Sequence, residues 1–445
     1  MDADLITNGC VIVRIFIYAT NYLPSTSNFK IPSHEVDKAS YPDFATGFNN
    51  RCSSGTNQDS PGTDIKLDEK STNIVHSDNQ FGFNLFGTLI ENSETGTNLM
   101  ISPLSISSAL SMVLNGANGD TRTEMEQVLS SNGFTADDIN SAYQKLIPAL
   151  RNCDTSVDLN IANSIWIRKG FDVLDKFIAT NNDYYDAEVT RLAFDNTAVN
   201  QINDWVSRKT HDRIQKMVTS IDPNDVMYLL NAIYFKGGWA EKFDSDATQS
   251  RPFTLTDGST MNVPMMRKNL KLSYLATNNF KMAALPYGRG KFRMIVMLPD
   301  EGVSTTEILQ SLDNDSWQTY LKGMSQPVEL DVWLPKFTFS WETNLNDVLA
   351  SLGMPKAFSQ TEADFTNINS NGGLYISKVK HKTFIEVNEE GTEAAASTSV
   401  GISLNSIGPS AVEFHADHPF LFVIMEEDTG AILFMGQLSD PRKES

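Results

Sequence analysis

A mixed α+β fold is what this sequence predicts, and three observations predict it. Apolar residues at helical spacing are concentrated between about residues 79 and 206. Apolar or alternating runs of strand length dominate from about residue 292 onward. The two kinds of element come in blocks, not in the strand–helix alternation that a parallel doubly wound sheet requires. With 445 residues, 40% hydrophobic and 10% aromatic, the chain has material for a large core. No apolar run approaches the ~18 residues of a membrane-crossing helix.

Residues 1–76 read as an extension outside the fold. Cys10-Val-Ile-Val-Arg-Ile-Phe-Ile-Tyr-Ala19 is a short apolar run broken by Arg14, and Asp2 and Asp4 precede it where a secretory signal carries positive charge. Residues 24–75 are rich in Ser, Asn, Asp, Gly and Pro, the composition of a linker. The expectation is a disordered extension, with an atypical targeting or anchoring segment as the alternative.

The globular part, residues 77–442, opens with Asn79-Gln-Phe-Gly-Phe-Asn-Leu-Phe86, where Phe81, Leu85 and Phe86 share a helical face. Ser102-Pro103 then starts a second helix, serine as cap and proline in the first turn. Ala109, Leu110, Met112, Val113 and Leu114 fill it, and Gly116 and Gly119 close it. Ile202, Trp205 and Val206 mark a later helix. Phe292–Leu298 followed by Pro299-Asp-Glu-Gly302 reads as a buried strand and a turn. Pro419–Met425 and Ala431–Met435 flank Glu426-Glu-Asp-Thr-Gly430, a hairpin apolar on both faces and hence interior. Between these, Leu374–Asn388 alternates: Val379, His381, Thr383, Ile385 and Val387 on one face, Lys378, Lys380, Lys382, Phe384, Glu386 and Asn388 on the other. His381 on the apolar face reads first as a core histidine holding a hydrogen bond.

The formal net charge of −20 argues against nucleic acid, heparin-like polyanions and acidic membranes as partners. Cys10, Cys52 and Cys153 form neither a disulfide framework nor a zinc spacing, and Cys153 reads as an inert thiol, buried or semi-buried. His415-Ala-Asp-His418 is better explained by turn and surface hydrogen bonds than by a metal. No nucleophile elbow, zinc-protease helix, Walker loop or dinucleotide fingerprint is present, so neither an enzyme nor a cofactor is expected.

One stretch carries a function of another kind. Glu389-Glu-Gly-Thr-Glu-Ala-Ala-Ala-Ser-Thr-Ser-Val400 runs from a charged strand end through a glycine into seven small or β-branched residues, Ala394 to Val400. As a strand, Thr392, Ala394, Ala396, Thr398 and Val400 share an uncharged face, whereas Glu393, Ala395, Ser397 and Ser399 share the other. The first face can be buried without an unpaired ion, and Gly391 supplies a pivot. A flexible linker is the alternative that these residues alone leave open.

Several motifs, in order, together resemble the serpin family over residues 77 to 442. They are Asn98–Leu110 with Gly116–Thr121, Leu230–Trp239, Leu334-Pro-Lys-Phe337, Ala363-Asp-Phe365, His381–Ala396 and Phe414–Phe422. The resemblance implies one fold with three β-sheets, eight to nine helices and an exposed reactive-centre loop at about 389–412. It implies a suicide-substrate inhibitor that traps an acyl-enzyme by inserting the cut loop as a new strand of the central sheet. Glu389, Gly391, Thr392, Ala394, Ala395 and Ala396 then form the hinge. Ser102, Ser105, Asn231 and His381 match the polar shutter beneath the sheet, and Trp239, with Glu389, its top. Counting from Glu389 places the reactive bond at Asn405–Ser406, with Leu404–Asn405 as the alternative. The implied partner is a chymotrypsin- or elastase-like serine protease, met by a monomer without a heparin-like cofactor, because Thr121–Asn152 lacks a basic cluster. The setting is extracellular or the cell envelope, an intracellular one remaining open. A non-inhibitory serpin, or an inhibitor of cysteine proteases, is the competing reading.

Overall fold

Alternation and capping in the sequence become two sheet systems wrapped by helices in the computed structural model, which describes the backbone of residues 9–19 and residues 62–324, 326–392 and 411–443. Strand β1 (Gly9–Ala19) comes first. Helix α1 (Glu69–Glu91) starts where Asp68 accepts the Ser71 amide and buries Ile74, Phe81, Leu85 and Phe86. It begins well before the sequence boundary at residue 77, because its first turn, Glu69-Lys-Ser-Thr, is polar and blends into the linker composition. The expected disorder of residues 1–76 also fails for Gly9–Ala19, whose run of β-branched residues pairs as a strand on both sides.

After β2 (Leu99–Ile101) comes α2 (Pro103–Leu114), capped by Ser102, with every residue buried. Gly119 opens α3 (Gly119–Val128) and does not merely close α2. Helix α4 (Ala136–Asn152) has a Thr135–Asp138 capping box. There follow β3 (Val157–Arg168), α5 (Asp175–Tyr185), β4 (Ala187–Leu192), α6 (Asn196–Lys209) and β5 (Asp225–Gly238). The second half supplies β6 (Gln249–Thr254), β7 (Thr260–Ala276), β8 (Phe280–Tyr287) and β9 (Phe292–Pro299). Then come α7 (Thr305–Gln310), α8 (Asn314–Gly323), β10 (Pro327–Pro335), β11 (Phe337–Asn344) and α9 (Asn346–Leu352). The chain closes with β12 (Leu374–Val387), β13 (Gly391–Thr392), β14 (Val412–His415), β15 (Phe420–Glu426) and β16 (Ile432–Leu438).

The central sheet has the order β11-β12-β1-β5-β3-β4, with β13 paired to the end of β5. The second system turns at β7 into two arms, β14-β10-β7 with β6 on one side and β8-β9-β15-β16-β2 on the other. Three sheets and nine α-helices among the described residues thus match the fold expected. Both strands of the β15–β16 hairpin lie inside, every strand residue buried. In β12 burial alternates as the sequence predicts, with Val379, His381, Thr383, Ile385 and Val387 inward. Helix α2 packs beneath the central sheet and brings its N-terminus under both β5 and β12.

Candidate functional site at the parting line of the central sheet

β5 and β12 run parallel, and the line between them passes over the N-terminus of α2. Ser102 caps that helix, its hydroxyl accepting the Ser105 amide at 3.2 Å. The Ser102 amide donates to His381 Nε2 on β12 at 3.3 Å. That nitrogen therefore carries no proton, and the ring is neutral while the bond is made. The Ser105 hydroxyl donates to Asn231 Oδ1 on β5. One helix end thus ties down both walls of the line. Ser102, Asn231 and His381 are fully buried and Ser105 is nearly so, where a broken hydrogen bond leaves a desolvated polar group.

Asn163 on β3 extends this cluster, and the sequence analysis missed it. It lies opposite Asn231, accepts from the Asn231 side-chain amide at 2.7 Å and donates to the Tyr185 carbonyl at 2.7 Å. Its only signal is polarity within the apolar run Ile161–Ile167, and the partner that gives it meaning is distant in sequence.

The upper end of the line is built differently. β12 ends in a tight turn in which Asn388 and Gly391 exchange backbone hydrogen bonds of 3.1 and 3.2 Å. The chain thereby reverses, and Gly391 and Thr392 pair antiparallel with Gly238 and Gly237 of β5. Only glycine fits position 391. Its φ is +137°, and an added Cβ would lie 2.3 Å from the Gly237 carbonyl oxygen and 2.6 Å from the Gly238 Cα. Thr392 is fully buried, its hydroxyl 2.8 Å from that of Tyr287. Tyr287 stacks on Trp239 with ring centroids 4.5 Å apart, and the Trp239 indole donates to the Asn388 carbonyl at 3.0 Å.

Glu389 is clasped from two sides. Lys336 pairs with it at 2.8 Å, and the Thr248 hydroxyl donates to it at 2.8 Å. Burial pushes this carboxyl up, but Lys336 and then Thr248 outweigh it, and its pKa lies below the ordinary glutamate value. Thr248, Lys336 and Tyr287 were also missing from the sequence reading; Lys336 lay within a motif that was quoted without a role.

The structure thus brings Ser102, Ser105, Asn231 and His381 together at the middle of the line, and Trp239, Glu389, Gly391 and Thr392 at its top. Ala394, Ala395, Ala396, Leu404, Asn405 and Ser406 lie outside the described residues. Among those described, no cluster of three or more His, Cys, Asp or Glu residues could hold a metal. His418 engages Asp417 at 2.9 Å and the Pro299 carbonyl at 2.9 Å. Burial, reinforced by the charge of Glu426, pushes the Cys153 thiol up to about 12, as suits an inert group.

Residues 76–441 match the family model described as serpin, serine protease inhibitor. The chain is a serpin. Similar relatives include human serpin B9, 38% identical over 352 residues, covering 77% of this chain and 93% of the relative. The leukocyte elastase inhibitor of Bos taurus is 36% identical over 374 residues, 81% and 98% of the two chains. Among solved structures, the thermophilic serpin tengpin in its native state superimposes with a TM-score of 0.76 at 33% identity, covering 86% of this serpin and 97% of tengpin. The family is one of protease inhibitors rather than catalysts, and a protease is the partner class that goes with it. No helix among the described residues is long and apolar enough to cross a membrane. Neither the fold nor the relatives' names carry the extracellular setting expected from the sequence.

Proposed function

We propose that this serpin is a suicide-substrate inhibitor that acts, as a monomer, on chymotrypsin- or elastase-like serine proteases. The single observation that carries the reading is the reversal at Asn388–Gly391, which aims the start of the reactive loop back down the line between β5 and β12. A loop cut beyond this hinge continues β13 in the same direction. Each backbone hydrogen bond formed in a sheet contributes on the order of 1 kcal/mol net. A strand of ten residues bonded on both sides makes about twenty such bonds and, after roughly 1 kcal/mol per residue for ordering the chain, gains roughly 10 kcal/mol, comparable with the whole stability of a typical domain. That is enough to drive displacement of a covalently attached protease before its ester is hydrolysed.

Gly391 gives the turn its conformation, and Thr392 shows the kind of side chain the line accepts: small and buried beside Tyr287. Ala394, Ala395 and Ala396 continue that demand. The reactive bond is Asn405–Ser406, with Leu404–Asn405 as the alternative. Ser102, Ser105, Asn231, His381 and Trp239 control how the sheet parts and do no bond chemistry.

Incubation of the Val13→Pro chain, whose β1 lacks a ladder donor and is loosened from the line, with chymotrypsin-, elastase- and subtilisin-like enzymes tests this. An SDS-resistant complex is expected with at least one, accompanied by a released C-terminal peptide whose mass marks Ser406 or Asn405 as its first residue. Loop cleavage of that chain by every enzyme without a complex contradicts the inhibitory reading and leaves a non-inhibitory serpin.

A further inference from the structure

We propose that Gly9–Ala19 is an autoinhibitory strand, which holds the place in the central sheet that the cut loop must take. The inhibitor is then silent until this strand is displaced or removed. The consequence for protease trapping rests on the function proposed above; the placement of the strand does not.

β1 fills the whole line. It pairs antiparallel with β12 from Cys10 opposite Phe384 to Ala19 opposite Leu374, and antiparallel with β5 from Gly9 opposite Phe235 to Tyr18 opposite Asp225. The Val13 backbone lies between Asn231 and His381, in the row where α2 ties the two walls. β13 and β1 share one direction and one track. Thr392 stands opposite Gly237, and Gly9 stands opposite Phe235, just below it. A loop continuing β13 in register would put Ala394 where Gly9 is and Val400 where Ile15 is. Adjacent strands sit about 4.8 Å apart, so one track holds one strand.

The occupant is well suited to stay. Cys10–Ala19 is rich in Val, Ile, Phe and Tyr and carries one charge, Arg14. Those residues favour strands more than the alanines, serines and glycine of 394–401 do. The tether also permits it. β1 ends at the Asp225 end of β5, while Gly62 rejoins the fold beside Cys153 and Lys291, close to the Gly237 end. Residues 20–61 can span about 140 Å when extended, several times the ~33 Å length of the strand. A segment tethered in this way competes at an effective concentration of about a millimolar.

The native Cys10 allows a direct test. Phe384 is its cross-strand partner and only half-buried, and Cα atoms of such partners lie about 4.5–5.5 Å apart, within disulfide range. In the full-length Phe384→Cys, Cys52→Ser chain, mild oxidation is expected to link residues 10 and 384 in most molecules, read by peptide mass. Loop entry is then read as the rise in melting temperature after cleavage within residues 393–410. The oxidised chain should show little rise, and full-length Val13→Pro, whose β1 lacks a ladder donor, a large one. Failure of the 10–384 link overturns the placement. An equal rise in the locked and the Val13→Pro chains overturns autoinhibition. If Val13→Pro alone responds to cleavage, yet no protease is trapped by it, the strand's role stands and the inhibitory function falls.

Discussion

The β15–β16 hairpin and the β5–β12 line both lie inside the molecule, yet they are built on opposite terms. In the hairpin's two strands every residue is buried and nearly all are apolar, and Phe422 lies so close over Gly436 that an added Cβ would meet its ring at 2.2 Å. Along the line, two walls are joined to α2 through serine, asparagine and histidine side chains, and the upper end turns on a glycine and an ion pair. Apolar packing has no preferred partner and fails only by leaving a void. Hydrogen bonds between discrete partners can be surrendered and remade in a second arrangement. The hairpin is a permanent core; the line is a seam.

Breaking the seam at its hinge should have the largest effect. Gly391→Val places a Cβ against the Gly237 carbonyl in a conformation that valine avoids, and, made in the Val13→Pro chain whose line is open, should cut the yield of SDS-resistant complex more than tenfold while loop cleavage continues. A similar yield in gel assays would mean that loop entry does not pass through this turn. Next is the hairpin: in the same Val13→Pro background, Phe422→Ala should cost about 3–5 kcal/mol in denaturant unfolding and leave the ratio of trapped to cleaved protease unchanged. Asn231→Ala strands the Ser105 hydroxyl and the Asn163 side chain, and should cost about 1–3 kcal/mol. Unlike Phe422→Ala, it should also shift the trapped-to-cleaved ratio.

The smallest effect concerns Glu389. Its folded pKa is depressed, so the stability it contributes is present above the unfolded value near 4.5 and is lost as pH falls through the lower, folded value. Because Lys336 is partly exposed, the contribution is about 0.5 kcal/mol. Glu389→Gln should lower stability by that amount at pH 8 and flatten the acid limb of a stability–pH profile, so that the two chains converge below the folded value.

The same contrast explains what could be seen in advance. Hairpin and β12 were legible because burial writes itself as a period along one strand, apolar on both faces or on alternate residues. Ser102-Pro103 was legible because capping is local. The family resemblance supplied Ser102, Ser105, Asn231 and His381 as a group, but Asn163 and Tyr287 acquire their roles from partners on other strands. The start of α1 was hidden because Asp68 caps it from within an Asp-rich stretch. β1 was hidden because a short apolar run reads the same whether it begins a leader, a loose tail or a strand; only two open edges elsewhere in the chain make it a strand.

The claim that the β5–β12 line accepts a strand is tested most directly by melting the full-length Val13→Pro chain before and after cleavage within residues 393–410. Emptied of β1, the line should take up the freed loop, and the midpoint should rise by 10 °C or more, about 10 kcal/mol spread over a chain of this size. An unchanged or lowered midpoint in the cut chain would contradict the account.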